Sequence, residues 1–281
     1  MEKVAYNKKC NQYLRTAFDN IERTGGIMSE RFIQSVDRAV DILELFSISE
    51  TELSVKEISD RLHLSKSTVH GLIKTLENRG YLEQKPTDQK YKLGLRLFEL
   101  GNLVGGGMEL RNLAYPIIHD LVATLQETVH LVVLDKDEVV YVEKVEGPGT
   151  LRMYSMLGKR APLYCTGVGK ALFAFLDEET IDRVLSEVEL KAFTPLTLTD
   201  PVAIKQDLQK IREQGYAVDD EEIEIGLKCV AAPIFNHEGK VIASISCAGP
   251  KLRFSDDKMA TFISEVKLAA SAVSKRFGYR G

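Results

Sequence analysis

The residues whose types and spacing suggest chemistry lie in the second half of the chain. Thr166-Gly-Val-Gly-Lys-Ala171 looks at first like a phosphate-cradling loop. It fails at two positions: such a loop needs glycine at 164, where the chain has Tyr164, and Ser or Thr at 171, where it has Ala171. What remains is a loop opening a helix. Backbone N–H groups at a helix start suit a small anion such as a carboxylate, or the segment is simply a tight turn onto a sheet. Asp219-Asp220-Glu221-Glu222-Ile223-Glu224 places five acids in six positions. Paired carboxylates are used in acid–base catalysis, but no nucleophile and base stand beside these, and the run reads chiefly as a solvated acidic loop. Cys165 and Cys229 offer thiols, although small buried hydrophobes are the better fit. Ser244 and Ser246 are two apart, so on a strand they share a face and suit the wall of a polar pocket. No catalytic constellation emerges, and the chain is expected not to be an enzyme.

Composition narrows the class further. The chain has 281 residues, 44% hydrophobic and 28% charged, with a net charge of −4, which is ordinary for a protein of two domains. No apolar run approaches the ~18 residues of a membrane helix, and no secretory signal pattern is present. The four cysteines (Cys10, Cys165, Cys229 and Cys247) form no C-x-x-C, and the five histidines form no H-x-x-x-H. Neither a disulfide framework, a metal site nor a cofactor motif is predicted, and reduced thiols point to the cytoplasm.

The elements that must position this chemistry begin with a different kind of site. Ser54 and Glu57 form an S-x-x-E capping box, and Val55, Ile58 and Leu62 mark one face of a short helix. His63-Leu64 breaks it, and Ser65 caps a second helix over about Lys66 to Asn78. Val69, Leu72, Ile73 and Leu76 of that helix face inward. Ser65, Lys66, Ser67, Thr68, His70, Gly71 and Lys74 are left to face outward from its N-terminal half, the part that enters the major groove in a helix-turn-helix. Gly80 closes the helix in a left-handed conformation. Tyr81 to Gln84 and Lys90 to Leu93 then alternate about a polar turn, the pattern of a hairpin wing. From Arg61 to Arg96 eight basic residues face three acids. A local excess of five on an acidic chain suits a phosphate footprint, with Lys85 and Lys90 on the wing.

The flanks complete the organisation. Residues 1–27 read as a disordered extension ahead of a second start, Met28-Ser29-Glu30. Ser35 to Phe46 predicts a bracing helix with Val36, Ala39, Val40, Leu43 and Phe46 on one face, followed by a polar link from Ser47 to Leu53. The winged helix-turn-helix occupies residues 30–94. Leu95 to Val104, apolar on more than one side, predicts a linker helix that pairs two copies or, alternatively, is buried within its own chain, ended by Gly105-Gly106-Gly107.

Residues 108–281 predict an α+β domain. Its helix over Leu110 to Thr124 turns Leu113, Ile117, Leu121 and Leu125 inward. Strands follow over Val129 to Leu134 and Glu138 to Val145. Gly147-Pro148-Gly149 turns the chain into Leu151 to Met156. Asp200-Pro201 starts a helix with Ile204, Leu208 and Ile211 inward. Two more strands, Cys229 to Phe235 and Lys240 to Ala248, precede a last helix capped at Ser255-Asp256.

In combination these pieces resemble the IclR family of bacterial transcription regulators over about Arg31 to Phe277. The matching segments are Gln34 to Leu43, Leu64-Ser-Lys-Ser-Thr-Val-His70, Arg79-Gly-Tyr81, Tyr91-Lys-Leu-Gly94, Gly167-Val-Gly-Lys-Ala171, Gly215 to Glu222, Gly226 to Pro233, and Ser244-Ile-Ser246 with Gly249-Pro250. The resemblance implies a winged helix-turn-helix, a linker helix and a GAF-like effector-binding domain. It also implies a homodimer or dimer of dimers on a near-palindromic double-stranded DNA operator, acting as a repressor under a small organic-acid effector. Pocket positions carried over from the family's motifs are Gly167 and Val168, whose N–H groups would meet a carboxylate, with Asp219, Cys229 and Ser246. The chain departs from the family where it has Gly71 in place of a frequent basic residue, Ala248 in place of a second pocket serine, and Tyr164 in place of a loop histidine. The alternatives are an enzyme on the second domain using Cys165 or the acidic loop, and a DNA-binding protein without an effector.

Overall fold

The computed structural model describes residues 33–47, 49–106, 108–149 and 155–281. The expected extension over residues 1–27 and residues 151–154 of the segment after Gly149 lie outside these ranges. The chain divides into one compact unit reaching to Leu100 and another from Gly101.

In the first unit, helices α1 (Gln34–Glu44), α2 (Val55–Leu62) and α3 (Lys66–Asn78) precede strands β1 (Leu82–Gln84) and β2 (Tyr91–Leu93). The capping box is formed: Ser54 Oγ accepts from the Glu57 N–H at 3.2 Å, and Glu57 Oε2 accepts from the Ser54 N–H at 2.8 Å. His63, at φ 52°, ends α2. Gly80, at φ +76°, lets the Tyr81 N–H reach back to the Leu76 carbonyl at 2.9 Å and close α3. The wing pairs Leu82 with Leu93 and Gln84 with Tyr91.

Ile42, Leu53, Ile58, Val69, Ile73, Leu82 and Tyr91 form this unit's core. Two expectations need correction. The bracing helix is rotated from the predicted phase: Val36 and Val40 are exposed at 58% and 46%, while Ile42 is fully buried. Ala39, Ile42, Leu43 and Phe46 keep the same i, i+3, i+4, i+7 spacing, so a shifted stripe fits the sequence equally well. The link from Ser47 is not merely polar, because Leu53 is buried and exchanges backbone hydrogen bonds of 2.9 and 2.8 Å with Tyr91. The wing is thereby tied to the start of α2.

Helix α4 (Leu95–Gly106) carries the chain into the second unit. The helix ends in the glycine run, with Gly106 its last residue, while the division between compact units falls earlier, after Leu100.

The second unit comprises α5 (Glu109–Leu125), β3 (Thr128–Asp135), β4 (Glu138–Val145), β5 (Arg160–Pro162), α6 (Gly167–Phe173), α7 (Glu178–Glu187) and α8 (Pro201–Gln214). These are followed by β6 (Ala217–Asp220), β7 (Leu227–Phe235), β8 (Val241–Pro250), a 3-10 turn (Lys251–Arg253) and α9 (Asp256–Arg276). One six-stranded sheet, in the order β5-β4-β3-β8-β7-β6, is antiparallel at every pairing. Successive strand residues point to opposite faces, and the two faces are covered differently. Val129, Leu131, Val230, Ala232, Ile245 and Cys247 pack under α5 and α9. Val132, Val139, Cys229, Ala231 and Ala248 pack under α6, α7 and α8.

Pro201 sits in the first turn of α8 behind the Asp200 cap, as its fixed φ favours. The inward stripe of α5 is centred on Ala114, Ile118, Leu121 and Val122. Leu113, Ile117 and Leu125 are only partly buried at its margins, a correction to the predicted face. Strand β6 is not visible in the sequence pattern, because its Asp219 and Asp220 read as part of an acidic loop.

Candidate DNA interface and effector site

The first candidate surface is α3 with the wing. Ser65 Oγ accepts from the Thr68 N–H at 3.2 Å and lies 2.9 Å from the hydroxyls of both Ser67 and Thr68, so it organises the first turn. Ser65, Lys66, Ser67, His70 and Gly71 are exposed, and Thr68 and Lys74 are half-buried. Open space surrounds Gly71 where a side chain would project.

The predicted cations fall into two groups. Lys74 binds Glu77 at 2.7 Å, and Lys85 binds Glu52 at 2.8 and 3.0 Å. These hydrogen bonds raise both ammonium pKa values. Among the described residues, no ion pair engages Lys66 or Lys90. Lys85 is therefore partly neutralised by the link before α2, a partner thirty-three positions away that local sequence does not reveal.

The second candidate site is built on the sheet face beneath α6. Thr166 Oγ1 caps α6 by accepting from the Gly169 N–H at 3.0 Å. The Gly167 and Val168 N–H groups, in the first turn, have no carbonyl four residues back to receive them. A side chain at 167 would meet Cys229 Sγ at 2.7 Å and Asp219 Cβ at 3.6 Å, so glycine is required for the close approach of α6 to the sheet. Asp219 and Cys229 are register partners on β6 and β7. Ser246 on β8 lies opposite Ala231 of β7 and His130 of β3. The five pocket residues carried over from the family motifs thus occupy one sheet face and the helix start above it, although more than seventy positions of chain separate Gly167 from Ser246. Ser244 is committed elsewhere, donating to the Val168 carbonyl at 2.7 Å and fixing α6.

The electrostatics of this site are unusual. Asp219 is 1% exposed and accepts from the Glu222 N–H at 2.8 Å. Burial, with Glu222 nearby, pushes its carboxyl up to about 7. Lys170 is 3% exposed and sits between Asp207, at 3.0 Å, and Glu222. Burial works against its charge, but Glu222 and Asp207 outweigh that and hold the ammonium charged. The lysine of the apparent phosphate loop is therefore an internal counter-ion. Burial also raises both thiols, Cys229 to about 12 and Cys165 further, so neither is a nucleophile near neutral pH.

The acidic run is not the solvated loop expected from sequence. Asp219 and Glu222 are buried, Asp220 pairs with Lys228 at 3.0 Å and Lys251 at 2.9 Å, and Glu221 pairs with Lys251; of the five acids Glu224 alone is exposed.

One residue beside the site, His130, is not singled out by the sequence pattern. His130 is 3% exposed, lies 3.5 Å from Ser246 Oγ through Nδ1 and 2.7 Å from Ser155 Oγ through Nε2, and stacks edge-on against Tyr141 at 5.2 Å. Burial, then the charge of Lys144, lowers its pKa to about 3, so the imidazole is neutral. Its one signal in the sequence was a histidine interrupting an otherwise apolar strand. Tyr164, the departure from the loop histidine, is structural: its hydroxyl donates to the Lys191 carbonyl at 2.9 Å and accepts the Lys191 N–H at 2.8 Å. Ala248 lies opposite Cys229 and Thr128 and adds no polar group to the wall.

Among the described residues no group of side chains has metal-site geometry, and no helix is long and apolar enough to cross a membrane. Comparison with known proteins gives two family matches. Residues 35–86 match the IclR helix-turn-helix domain, and residues 104–275 match the bacterial transcriptional regulator IclR C-terminal domain. The chain is 42% identical over 247 residues to the HTH-type transcriptional regulator XynR of Escherichia coli, covering 88% of this chain and 98% of XynR. It is 33% identical over 248 residues to the Escherichia coli transcriptional repressor IclR, covering 88% and 90%. Among solved structures, an IclR homolog from Microbacterium hydrocarbonoxydans complexed with 4-hydroxybenzoate superposes with a TM-score of 0.77 at 28% identity, covering 87% of this chain and 99% of that one.

Proposed function

The chain belongs to the IclR family of bacterial transcriptional regulators, and we propose that it is a repressor that releases operator DNA when a small organic acid occupies the site between α6 and the sheet. The family comprises DNA-binding regulators rather than enzymes. The effector reading is supported by the position of the Gly167 and Val168 N–H groups, in the first turn of α6, over Asp219, Cys229 and Ser246 on one buried sheet face. That arrangement offers donors to a carboxylate and polar contacts to its substituents. In the DNA-binding unit, Ser65, Lys66, Ser67, Thr68, His70, Gly71 and Lys74 are the groove-facing set, and Lys85 and Lys90 contact phosphate. A homodimer or dimer of dimers is supported by α4, which leaves Leu95, Phe98, Leu103 and Val104 between 65% and 75% exposed, and by the paired half-sites that such motifs read.

The test is fluorescence anisotropy on DNA from upstream of the gene and its neighbours, with and without a panel of small acids. Salt-dependent, sequence-selective binding that one acid weakens supports the proposal. Binding that no acid changes favours an effector-independent DNA-binding protein.

A further inference from the structure

The basic footprint of the DNA-binding unit is smaller in the structure than in the sequence. Of the eight cations from Arg61 to Arg96, five are paired with acids. Three pairs are local: Lys74 with Glu77, Arg96 with Glu99, and Lys92 with Glu83, its register partner across the wing. The other two acids come from the link before α2. Glu50 binds both terminal nitrogens of Arg61, at 2.7 and 2.8 Å, and Glu52 binds Lys85 through both carboxylate oxygens, at 2.8 and 3.0 Å. Among the described residues no ion pair engages Lys66, Arg79 or Lys90. The place of Glu52 follows from its neighbour. Leu53 is buried and exchanges backbone hydrogen bonds with Tyr91, so the link runs beside β2 and alternation turns Glu52 away from the core. Those backbone bonds hold the wing without help from Glu52. The side chains of Lys85 and Glu52 are 42% and 33% exposed, so their pair adds little to the fold. What it changes is the availability of an ammonium group to DNA.

We propose that Glu52 is a positioning residue for DNA binding: it holds the Lys85 ammonium on the link, away from phosphate, and so keeps affinity for DNA of any sequence low. The inference rests on the reading of the wing as a phosphate-contacting element and adds the residue that limits the contact. The wing carries its own comparison. Lys90 lies across the wing turn from Lys85, its carbonyl accepting the Lys85 N–H at 2.8 Å. Glu57 feels the charge of Lys90, but its carboxylate is bound to the Ser54 N–H and hydroxyl. A phosphate therefore meets Lys90 without a bonded competitor, whereas at Lys85 it must displace a carboxylate. A cation already neutralised in the free protein contributes less counterion release on binding. Phosphate contacts carry no sequence information. Withholding one lowers the share of binding that any duplex supplies and leaves more of the choice of site to the reading helix.

The experiment is fluorescence anisotropy of the full chain on a labelled duplex of arbitrary sequence, from about 50 to about 200 mM salt. Glu52→Gln keeps the size of the side chain and removes its charge. It is expected to tighten binding and to steepen the slope of log affinity against log salt by about 0.9 for each wing on the duplex, the value of one added phosphate contact. The gain should then be about threefold larger at the low-salt end than at the high-salt end. Adding Lys85→Ala to Glu52→Gln should return affinity and slope to those of Lys85→Ala alone. A gain that survives in the double variant overturns the inference, because the lost acid then acts by general repulsion and not through Lys85. Unchanged affinity and slope in Glu52→Gln overturn it as well, by showing that Glu52 withholds nothing. Weaker binding, or a variant that does not fold, also overturns it, by making Glu52 an anchor of the wing. Lys90→Ala separates the inference from the reading beneath it. A slope that this variant leaves unchanged overturns the wing reading, and the inference with it. A slope that it reduces, beside an unaffected Glu52→Gln, overturns the inference alone.

Discussion

The polar residues of the proposed reading helix and those of the proposed effector site are used in opposite ways. On α3, Lys66, Ser67, His70 and Gly71 are exposed and come from one helical turn and its neighbour. On α6 and the sheet beneath it, Lys170, Asp219, Glu222, Cys229 and Ser246 are buried and come from different elements, and Glu222 bonds both Lys170 and Asp219. An exposed interface leaves its donors free and lets the incoming phosphate or base satisfy them. A buried site must satisfy its polar groups internally before a ligand arrives, because an unpaired buried charge is costly. The two sites should therefore respond to mutation in different quantities: folding stability and pH dependence for the effector site, salt dependence and sequence preference for the reading surface.

The largest effect is expected from Lys170→Met. Removing the shared cation strands Glu222 and Asp207 near the interior, and loss of one partner from a buried pair costs about 3–5 kcal/mol. Chemical denaturation should show that loss in the second unit. A change below about 1 kcal/mol would show that the cluster behaves as a surface pair and would erase the contrast.

Next comes the pH dependence of stability. Asp219 titrates from 3.8 in the unfolded reference to about 7 in the fold. Between those values the folded chain binds more protons than the unfolded one, so its stability falls as pH rises through that window. Asp219→Asn should flatten that part of the curve, as followed by thermal melts across pH.

On the reading surface, Lys90→Ala should reduce the slope of log affinity against log salt by about one unit, the signature of a lost phosphate contact. Lys85→Ala should reduce it less, because Glu52 already partly neutralises Lys85. Equal slopes for the two variants would remove the distinction between paired and unpaired cations. The smallest effect is Gly71→Ala. With open space around this position, alanine should stabilise α3 by about 0.5–1 kcal/mol, while competition binding reports whether base preference shifts.

The same contrast explains what was legible in the sequence. The capping box at Ser54 and Glu57, the Ser65 cap, the Gly80 stop and the hairpin all depend on residues a few positions apart, and the structure forms each of them. The alternation of α3 against its core was equally local. Phase errors arose where two apolar stripes competed, as on α1 with Val36 and Val40 against Ile42, and on α5 with Leu113 against Ala114. The effector residues named from family motifs were brought together, but why they belong together was not readable. Five acids in six positions look solvated until Lys170, Lys228 and Lys251 arrive from elsewhere in the chain. His130 and Asp207 carried no local signal that could tie them to Ser246 and Lys170.

The most direct measurement of the regulator reading is operator affinity of the full chain titrated with each acid in turn at fixed salt and pH. The effector-controlled repressor predicts that at least one small carboxylic acid weakens operator binding by about fivefold or more, the scale of typical coupling between sites. Operator affinity unchanged by every acid, including any acid that calorimetry shows to be bound, would contradict it.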